Sequence, residues 1–215
     1  MKGIFVSGTG TDVGKTVASA ILLTRALRLF VDAAYYKPIQ TGPDDDAHTI
    51  AQLLNDQSMA TRGLTFKRPL SPHMAAHYDN SYIEMSSVVS SLPKRSDFLI
   101  VEGAGGLMVP INHRYLMIDL IKALSLPCLL VANTKLGTIN HTLLSLAALR
   151  AKRIPVHGVI MMGDKDRDNE ASIRAYGRVE NLLALPTLPI VNPVNITNVA
   201  CTYRAAIDRF LQAGC

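Results

Sequence analysis

The chain has 215 residues, 48% of them hydrophobic, which is enough to bury the core of one domain spanning residues 1–215. Its 22 basic and 17 acidic residues are spread without a long basic run, so the charge does not indicate a nucleic-acid partner. The three cysteines have neither metal-binding nor disulfide spacing, and the first strand begins at the N-terminus, which together predict a cytoplasmic protein. No apolar run approaches about 20 residues, so we expect that the protein does not enter a membrane.

A glycine-rich segment, residues 8–16 (GTGTDVGKT), lies between an apolar β-prone run and a helix predicted from about residue 15 to 30. A strand-to-helix turn of this kind directs backbone N–H groups at one place, where a di- or triphosphate binds. Lys15 would contact phosphate oxygens and Thr16 would ligate Mg²⁺. Position 9 is not glycine, so this phosphate-binding loop is a spacing variant. Its nucleotide contacts are predicted at Gly10, Thr11, Asp12, Val13, Gly14, Lys15 and Thr16.

A short second strand is predicted over residues 33–36, ending at Lys37 because Pro38 cannot donate to a ladder. Ligands bind at the carboxyl edge of an open parallel sheet, so Lys37 should face the phosphate-binding loop. A solvated lysine at a strand end is the alternative. Three aspartates at positions 44–46 precede a helix over residues 47–54. Each can act as helix cap or Mg²⁺ ligand, and spacing leaves both roles open.

Residues 57–82 show little periodicity, which predicts an irregular lid or a wall of the site. His73 and His77 stand four positions apart, as a zinc pair on a helix would. No nearby Glu or Cys completes such a site, so zinc binding is not favoured.

A helix is predicted over residues 84–92, and a strand with a glycine-rich end over residues 97–106. Glu102 would emerge at the carboxyl edge of the sheet, close to Thr16, and complete the metal environment. The glycines after it would let backbone N–H groups bind a second anionic ligand. The alternative, an ordinary residue at a strand end, leaves a glutamate among buried residues without a partner.

The rest of the chain continues to alternate strands and helices. Helices are predicted over residues 116–124, 170–185 and 200–213, and from the end of a polar loop at residues 134–141 to about residue 152. Strands are predicted over residues 127–133, 156–162 and 188–191. This alternation predicts a doubly wound α/β fold, a mostly parallel sheet with helices on both faces.

Six motifs in order resemble the ATP-dependent dethiobiotin synthetase family, within the P-loop superfamily, over about residues 3–191. They are residues 8–16, 37–42 (KPIQTG), 46–47, 71–73 (SPH), 101–106 (VEGAGG) and 135–141 (KLGTINH). The resemblance implies a homodimeric ligase of biotin biosynthesis that converts 7,8-diaminopelargonate, CO₂ or bicarbonate, and ATP into dethiobiotin, ADP and phosphate. One substrate amine forms a carbamate, ATP phosphorylates it, and the second amine closes the cyclic urea.

The resemblance also implies roles for matching residues. It gives catalytic roles to Lys37, Lys15 and Thr11, and a metal environment of Thr16, Asp46 and Glu102. Substrate contacts would come from Thr41, Gly103, Ala104, Gly105 and Gly106, and from Lys135, Leu136, Gly137, Thr138, Asn140 and Tyr176 across the dimer interface. Further nucleotide contacts would come from Glu102, Met162, Pro189, Ile190 and Val191.

One departure concerns the base. Family members often carry an Asn that reads the adenine edge where this chain has Met162, and a thioether cannot make those paired hydrogen bonds. A looser preference among nucleoside triphosphates is therefore expected, to be measured as turnover with equal ATP, GTP and CTP.

A second class of function stays open, a nucleotide-switched partitioning or positioning ATPase. Such proteins resemble this chain in the loop but carry a lysine where it has Gly10. They also favour a basic amphipathic C-terminal helix, whereas residues 200–213 contain only Arg204 and Arg209 as basic residues. A third class, an amidotransferase-linked synthetase, would need a glutaminase supplied by a partner chain.

Overall fold

The computed structural model describes residues 2–94 and 96–212. Its strands are β1 (Gly3–Gly8), β2 (Ala33–Thr41), β3 (Ala60–Phe66), β4 (Phe98–Gly106), β5 (Cys128–Asn133), β6 (Val156–Met162) and β7 (Leu182–Leu185). Its helices are α1 (Lys15–Leu29), α2 (Asp46–Leu54), α3 (Pro72–Tyr78), α4 (Met85–Ser90), α5 (Met117–Leu124), α6 (Thr138–Ala151), α7 (Arg167–Gly177), α8 (Pro193–Thr202) and α9 (Arg204–Gln212).

These strands form one sheet in the order β3-β2-β4-β1-β5-β6-β7, and every pairing between them is parallel. The central strand β1 lies between β4 and β5. Parallel strands end at one edge of a sheet, so the connections after β1, β2 and β4 open on the same side. The predicted doubly wound α/β fold is confirmed.

The cores on the two faces of the sheet follow from the pleat of β1. Ile4 and Val6 pack in one core with residues of α1, α2, α8 and α9, whereas Phe5 packs in the other with residues of α4 and α5. Alternate side chains of a strand point to opposite faces. A strand that is covered on both faces therefore reads as a continuous apolar run, as β1 does.

The second strand is longer than predicted, because β2 continues through Pro38 to Thr41. Its pairing with β4 ends at Tyr36, and from Lys37 onward β2 pairs with β3 alone. Pro38 has no N–H to donate, but it lies beyond the part of β2 that pairs with β4, so no hydrogen bond between those two strands is lost. The longer strand carries Lys37 within the sheet and not at its tip.

The prediction of irregular structure over residues 57–82 is wrong. The segment contains β3 and the short helix α3, which begins with Pro72 in its first turn after Ser71. β3 lies at the edge of the sheet and most of its residues are exposed or half-buried. An edge strand of this kind lacks the alternation of apolar residues that identifies a strand from sequence.

The predictions for the C-terminal third are also corrected. The helix predicted over residues 170–185 ends at Gly177, Arg178 turns the chain in a left-handed conformation, and Leu182–Leu185 pairs with β6 as β7. Residues 188–191 are not a strand. The helix predicted over residues 200–213 is two helices that meet at Tyr203, and α8 starts earlier because Asn192 caps it before Pro193. Residue 213 lies outside the described residues.

Candidate active site

The phosphate-binding loop follows β1 and leads into α1. Gly14 precedes the helix with a φ of 92°, in the left-handed region, and Asp12 has a φ of 56°. Lys15 is buried, and its Nζ donates to the Gly10 carbonyl at 3.1 Å, across the loop. Burial lowers the pKa of Lys15, against the opposing effect of the Glu102 charge. The Lys15 ammonium is therefore folded back over the phosphate-binding loop.

Two carboxylates converge on the first turn of α1. Thr16 Oγ1 lies 3.0 Å from Asp46 Oδ1 and 3.2 Å from Glu102 Oε1. Glu102 is fully buried in β4, and Asp46 is the first residue of α2. Of the two roles left open for the aspartates, the structure assigns the helix cap to Asp45, which accepts from His48 N. The three residues predicted as a metal environment therefore lie together although they come from three separate elements.

Lys37 lies between the same two carboxylates. Its Nζ is 2.6 Å from Asp46 Oδ2 and 3.0 Å from Glu102 Oε1, and it donates to the Gly103 carbonyl at 3.2 Å. The side chain is only 4% exposed. Burial alone would lower the pKa of Lys37, but Glu102 and Asp46 outweigh it and the pKa is raised. This lysine is therefore a fixed, buried positive charge and not a solvated strand end.

Two buried polar residues that the sequence analysis did not single out support these groups, and a third, Tyr35, lies near them. Ser19 Oγ donates to Glu102 Oε2 at 2.7 Å, and Gln40 Oε1 accepts from Asp46 N at 3.2 Å. The Tyr35 side chain is fully buried, and burial first, then the charges of Glu102 and Asp46, raise the pKa of its phenol well above the usual value. A polar residue one turn after Thr16 was the signal available for Ser19, because positions three apart share a helix face.

Lys15, Thr16, Lys37, Asp46 and Glu102 line a cavity of about 370 Å³ at the carboxyl edge of the sheet. Its lining residues are Thr11, Asp12, Gly14, Lys15, Thr16, Val17, Lys37, Gln40, Thr41, Asp44, Asp46, Glu102, Ala104 and Gly105. Most predicted catalytic, metal and loop residues therefore share one cavity. Gly103 contributes its carbonyl to Lys37 from beneath it, where it packs against Phe5.

Other predicted site residues lie elsewhere. Lys135, Leu136, Gly137, Thr138 and Asn140 form the connection from β5 and the start of α6, with Leu136 fully exposed, and Tyr176 lies exposed on α7. Pro189, Ile190 and Val191 lie exposed after β7. Gly106 lines a neighbouring depression of about 390 Å³ together with Thr11, Met108 and Leu144. Met162 lies against the phosphate-binding loop, since a Cβ at Gly14 would be 3.0 Å from its Cγ.

The histidines of α3 face a separate small cavity of about 190 Å³, where His73 and His77 are joined by His113. Within residues 2–94 and 96–212, no three His, Cys, Asp or Glu side chains are arranged to hold a metal ion. In the same part of the chain, no helix is long and apolar enough to cross a membrane.

Comparisons with known proteins identify the family. A family model described as an AAA domain matches residues 2–195. The chain is 44% identical over 201 residues to the ATP-dependent dethiobiotin synthetase BioD of Paramagnetospirillum magneticum, covering 93% of this chain and 95% of that protein. The protein of the same name from Agrobacterium fabrum is 45% identical, with 87% of each chain covered. The chain belongs to the ATP-dependent dethiobiotin synthetase family.

Membership of the dethiobiotin synthetase family confirms the resemblance and makes the chain an ATP-dependent ligase. Among solved structures, the septum site-determining protein MinD of Pyrococcus horikoshii, complexed with Mg-ADP, superposes with a TM-score of 0.60. The match covers 99% of this chain and 94% of that one at 14% identity. At this identity the likeness shows a shared fold alone, so it does not favour a partitioning or positioning ATPase.

Proposed function

We propose that this chain closes the cyclic urea of dethiobiotin from 7,8-diaminopelargonate and CO₂, and converts ATP to ADP and phosphate. The observation that carries the proposal is the Lys37 ammonium, buried between Glu102 and Asp46 in the cavity that also holds the phosphate-binding loop. A carbamate and a triphosphate are both anionic. A fixed positive charge between their binding positions is what transfer of a phosphoryl group to a carbamate oxygen requires.

Lys37 reaches the carbamate by exchanging one of its partners. A lysine ammonium has three N–H donors, and here they point to Glu102, Asp46 and the Gly103 carbonyl. Glu102 is fully buried, whereas the Asp46 side chain is 24% exposed. Asp46 is therefore the partner whose place a carbamate oxygen takes, while the buried contacts keep the ammonium in position.

The walls of the cavity orient the substrate. Thr11 and Thr41 line it together with Lys37, and so do Ala104 and Gly105, which follow Glu102 in the chain. Hydroxyl and N–H donors at these positions would hold the carbamate while the γ-phosphate lies against Lys15. Both amines of the diamine must then lie near one carbon, so that the second attacks the phosphorylated carbamate and releases phosphate.

Mg²⁺ suits the oxygen atoms that meet at Thr16. The Thr16 hydroxyl lies within 3.2 Å of both Asp46 and Glu102, and hydroxyl and carboxylate oxygens are ligands that Mg²⁺ prefers. These three residues would hold the ion together with water and phosphate oxygens. When bound there, Mg²⁺ supplies neutralisation of charge on the transferring phosphoryl group.

We also propose that the protein is a homodimer whose partner completes the substrate site. The depression lined by Met108 and Leu144 shares Thr11 with the cavity of Lys37, and both side chains are exposed. A second copy seated there would cover this apolar surface and bring its residues 135–140 toward the substrate carboxylate. Leu144→Glu should yield a monomer in sedimentation and raise KM for the diamine, and an unchanged dimer with unchanged KM would contradict this interface.

A cytoplasmic location is part of the same proposal. Within the described residues Cys128 is buried and Cys201 is exposed, and both are free thiols, as in a reducing compartment. The third cysteine, residue 215, lies outside the described residues.

The experiment that tests the function measures phosphate release with ATP, Mg²⁺ and bicarbonate, with and without 7,8-diaminopelargonate, and follows the product by mass. Release that requires the diamine and yields the cyclic urea is expected. Lys37→Ala should abolish it. Phosphate release at the same rate without the diamine, or only with added DNA or lipid, would overturn the proposal in favour of a switch ATPase.

A further inference from the structure

A fully buried tyrosine of β2 lies beside the carboxylate at the centre of the candidate site. Tyr35 is opposite Ile100 in the parallel pair of β2 and β4, and Glu102 lies two positions further along β4, on the same face of the sheet. Tyr35 packs in the core that α1 and α2 cover. Burial first, and then the charge of Glu102, raise the pKa of the Tyr35 phenol, so the hydroxyl keeps its proton and can donate it.

The Tyr35 hydroxyl is near Glu102 without being well bonded to it. Glu102 acts on the phenol by its charge and as a hydrogen-bond acceptor, but within residues 2–94 and 96–212 no partner meets full hydrogen-bond distance and angle for this hydroxyl. A buried hydroxyl without a good partner lowers stability, and phenylalanine would fill the same space without that penalty. A residue that weakens the fold in this way is typical of a functional site.

Three other buried side-chain oxygens of the described segments also lack a partner: Ser7 Oγ, Thr142 Oγ1 and Glu170 Oε1. Ser7 follows the residue of β1 that pairs with Glu102, so its side chain points to the opposite face of the sheet. Thr142 lies in α6, which packs on β5 and β6, and Glu170 lies in α7, which packs on α6 and β7. Tyr35 differs from them because its neighbour is a carboxylate of the candidate metal environment.

The Glu102 carboxylate has an acceptor position left for this hydroxyl. An ionised carboxylate offers about four such positions, shared equally by its oxygens. Thr16 and Lys37 lie at hydrogen-bond distance from Oε1, and Ser19 donates to Oε2. The remaining position is therefore on Oε2, the oxygen that Ser19 already holds.

Resting on the proposed function, we propose that Tyr35 is a positioning residue whose hydroxyl takes this remaining position when nucleotide and Mg²⁺ are bound. Ser19 then holds Oε2 of Glu102 from α1, and Tyr35 holds it from β2. The other oxygen stays available to the ion and to Lys37. Because the hydroxyl acts through Glu102 and not on the substrate, its loss should weaken binding of the ion and leave the fold intact.

Tyr35→Phe removes the hydroxyl and keeps the ring. With ADP present, the dissociation constant for Mn²⁺, a paramagnetic substitute for Mg²⁺ that is followed by electron paramagnetic resonance, should rise about tenfold, as loss of a hydrogen bond to a metal ligand implies. Without nucleotide or ion, the urea midpoint should stay the same or rise, because a poorly bonded buried hydroxyl is gone. An unchanged dissociation constant for Mn²⁺, or a lowered urea midpoint, would overturn the proposal.

Tyr36→Phe is the matched control at the neighbouring position. Tyr36 is also buried, but it packs in the core on the other face of the sheet, and its hydroxyl is paired with Ser91 Oγ at 2.8 Å. Loss of that bond should lower the urea midpoint, whereas the dissociation constant for Mn²⁺ should keep the wild-type value. If both variants changed both properties alike, the role of Tyr35 would be structural and the proposal would fall.

Nuclear magnetic resonance of the wild-type protein tests the bond itself. With tyrosine isotope-labelled at Cζ, the carbon that carries the hydroxyl, addition of ADP and Mg²⁺ should shift the Tyr35 resonance and leave the Tyr36 resonance in place. No shift at Tyr35 would overturn the proposal even if a variant folds poorly.

These binding measurements do not need the diamine, so failure of this inference can be told apart from failure of the proposed function. If the wild type shows no diamine-dependent turnover but Tyr35→Phe still binds Mn²⁺ more weakly, the synthetase proposal falls and the role of Tyr35 stands. If the wild type turns over the diamine and Tyr35→Phe binds Mn²⁺ as tightly as the wild type, the synthetase proposal stands and the role of Tyr35 falls.

Discussion

Ser19 Oγ donates a hydrogen bond of 2.7 Å to Glu102 Oε2, while the other carboxylate oxygen, Oε1, is shared by Thr16 and Lys37. Both Ser19 and Glu102 are fully buried. The serine thus fixes the rotation of the glutamate, and with it the oxygen that faces the cavity. A buried carboxylate held on both oxygens is pre-organised for the ion and the ammonium that it serves.

Removing this hydroxyl should weaken the metal site without destroying the fold. In Ser19→Ala, Glu102 loses the bond that orients it, and we expect the Mg²⁺ concentration for half-maximal activity to rise about tenfold. Titration of activity with Mg²⁺ measures this. Thr24→Ala is the control, since the Thr24 hydroxyl donates to Ala20 O within the same helix. Identical Mg²⁺ titrations for the wild type and Ser19→Ala would refute a positioning role.

The ion pair of Lys37 and Glu102 should be critical for stability as well as activity. Lys37→Met leaves the fully buried Glu102 without its cation, which should lower the free energy of unfolding by about 3–5 kcal/mol. Adding Glu102→Gln should restore much of that stability, because the uncompensated charge is gone, but no turnover. Urea denaturation and phosphate release measure the two properties separately.

The matched control is an exposed ion pair in the same protein. Lys152 Nζ lies 2.8 Å from Asp119 Oδ1, with the lysine side chain 45% exposed. Lys152→Met should cost less than about 1 kcal/mol, because water screens such a pair. Equal losses for the Lys37 and Lys152 variants, or diamine-dependent turnover by Lys37→Met, would contradict the account of Lys37.

Sequence patterns predicted the elements whose signals are local. The loop before α1 and the buried strand that ends at Glu102 combine apolar runs with glycines and charged residues in fixed order, and the structure places both as expected. β3 and β7 were missed because their strand character comes from pairing. Because β3 lies at the edge of the sheet, it lacks the alternation of apolar and polar residues that identifies a strand. The leucines of β7 continue the spacing of apolar residues in the preceding helix, so the sequence pattern placed them in that helix.

In the candidate site, too, some residues could be predicted from local sequence signals and others could not. Lys15, Lys37 and Glu102 stand out in the sequence, since charged residues beside glycines at strand ends have few structural reasons to be there. Ser19 does not stand out. It is a small polar residue in an apolar helix, and only tertiary packing shows that its hydroxyl faces Glu102.

The two glycines of the phosphate-binding loop should respond differently to alanine. Gly14 has a φ of 92°, and an added Cβ would lie 3.0 Å from Met162 Cγ, so Gly14→Ala should lower the free energy of unfolding by about 1–3 kcal/mol. An added Cβ at Gly10 would meet no atom within 4 Å, and Gly10→Ala should change stability by less than about 0.5 kcal/mol. Urea denaturation compares them, and similar losses would contradict the strained conformation at Gly14.

His157 should make stability fall at acid pH. Its Nε2 donates to the Phe210 carbonyl at 2.6 Å, between β6 and α9. Burial lowers the pKa of His157 below the usual 6.5, although the Phe210 carbonyl opposes this. Above 6.5 the imidazole is neutral in both folded and unfolded chains. As the pH falls below that value, only the unfolded chain binds a proton, so stability is lost until the lowered pKa of the folded state is reached.

Replacing this histidine should remove its share of the acid sensitivity. His157→Gln should show a smaller drop in unfolding free energy between about pH 7.5 and about pH 5.5 than the wild type, even if its stability at neutral pH is lower. His141→Gln, at an exposed position, is the control and should keep the wild-type slope. Urea denaturation at several pH values gives the slopes. Removing a group whose pKa differs between the folded and unfolded chains must change the slope of unfolding free energy against pH. Equal slopes for the wild type and His157→Gln would therefore contradict a role of the buried imidazole in acid sensitivity.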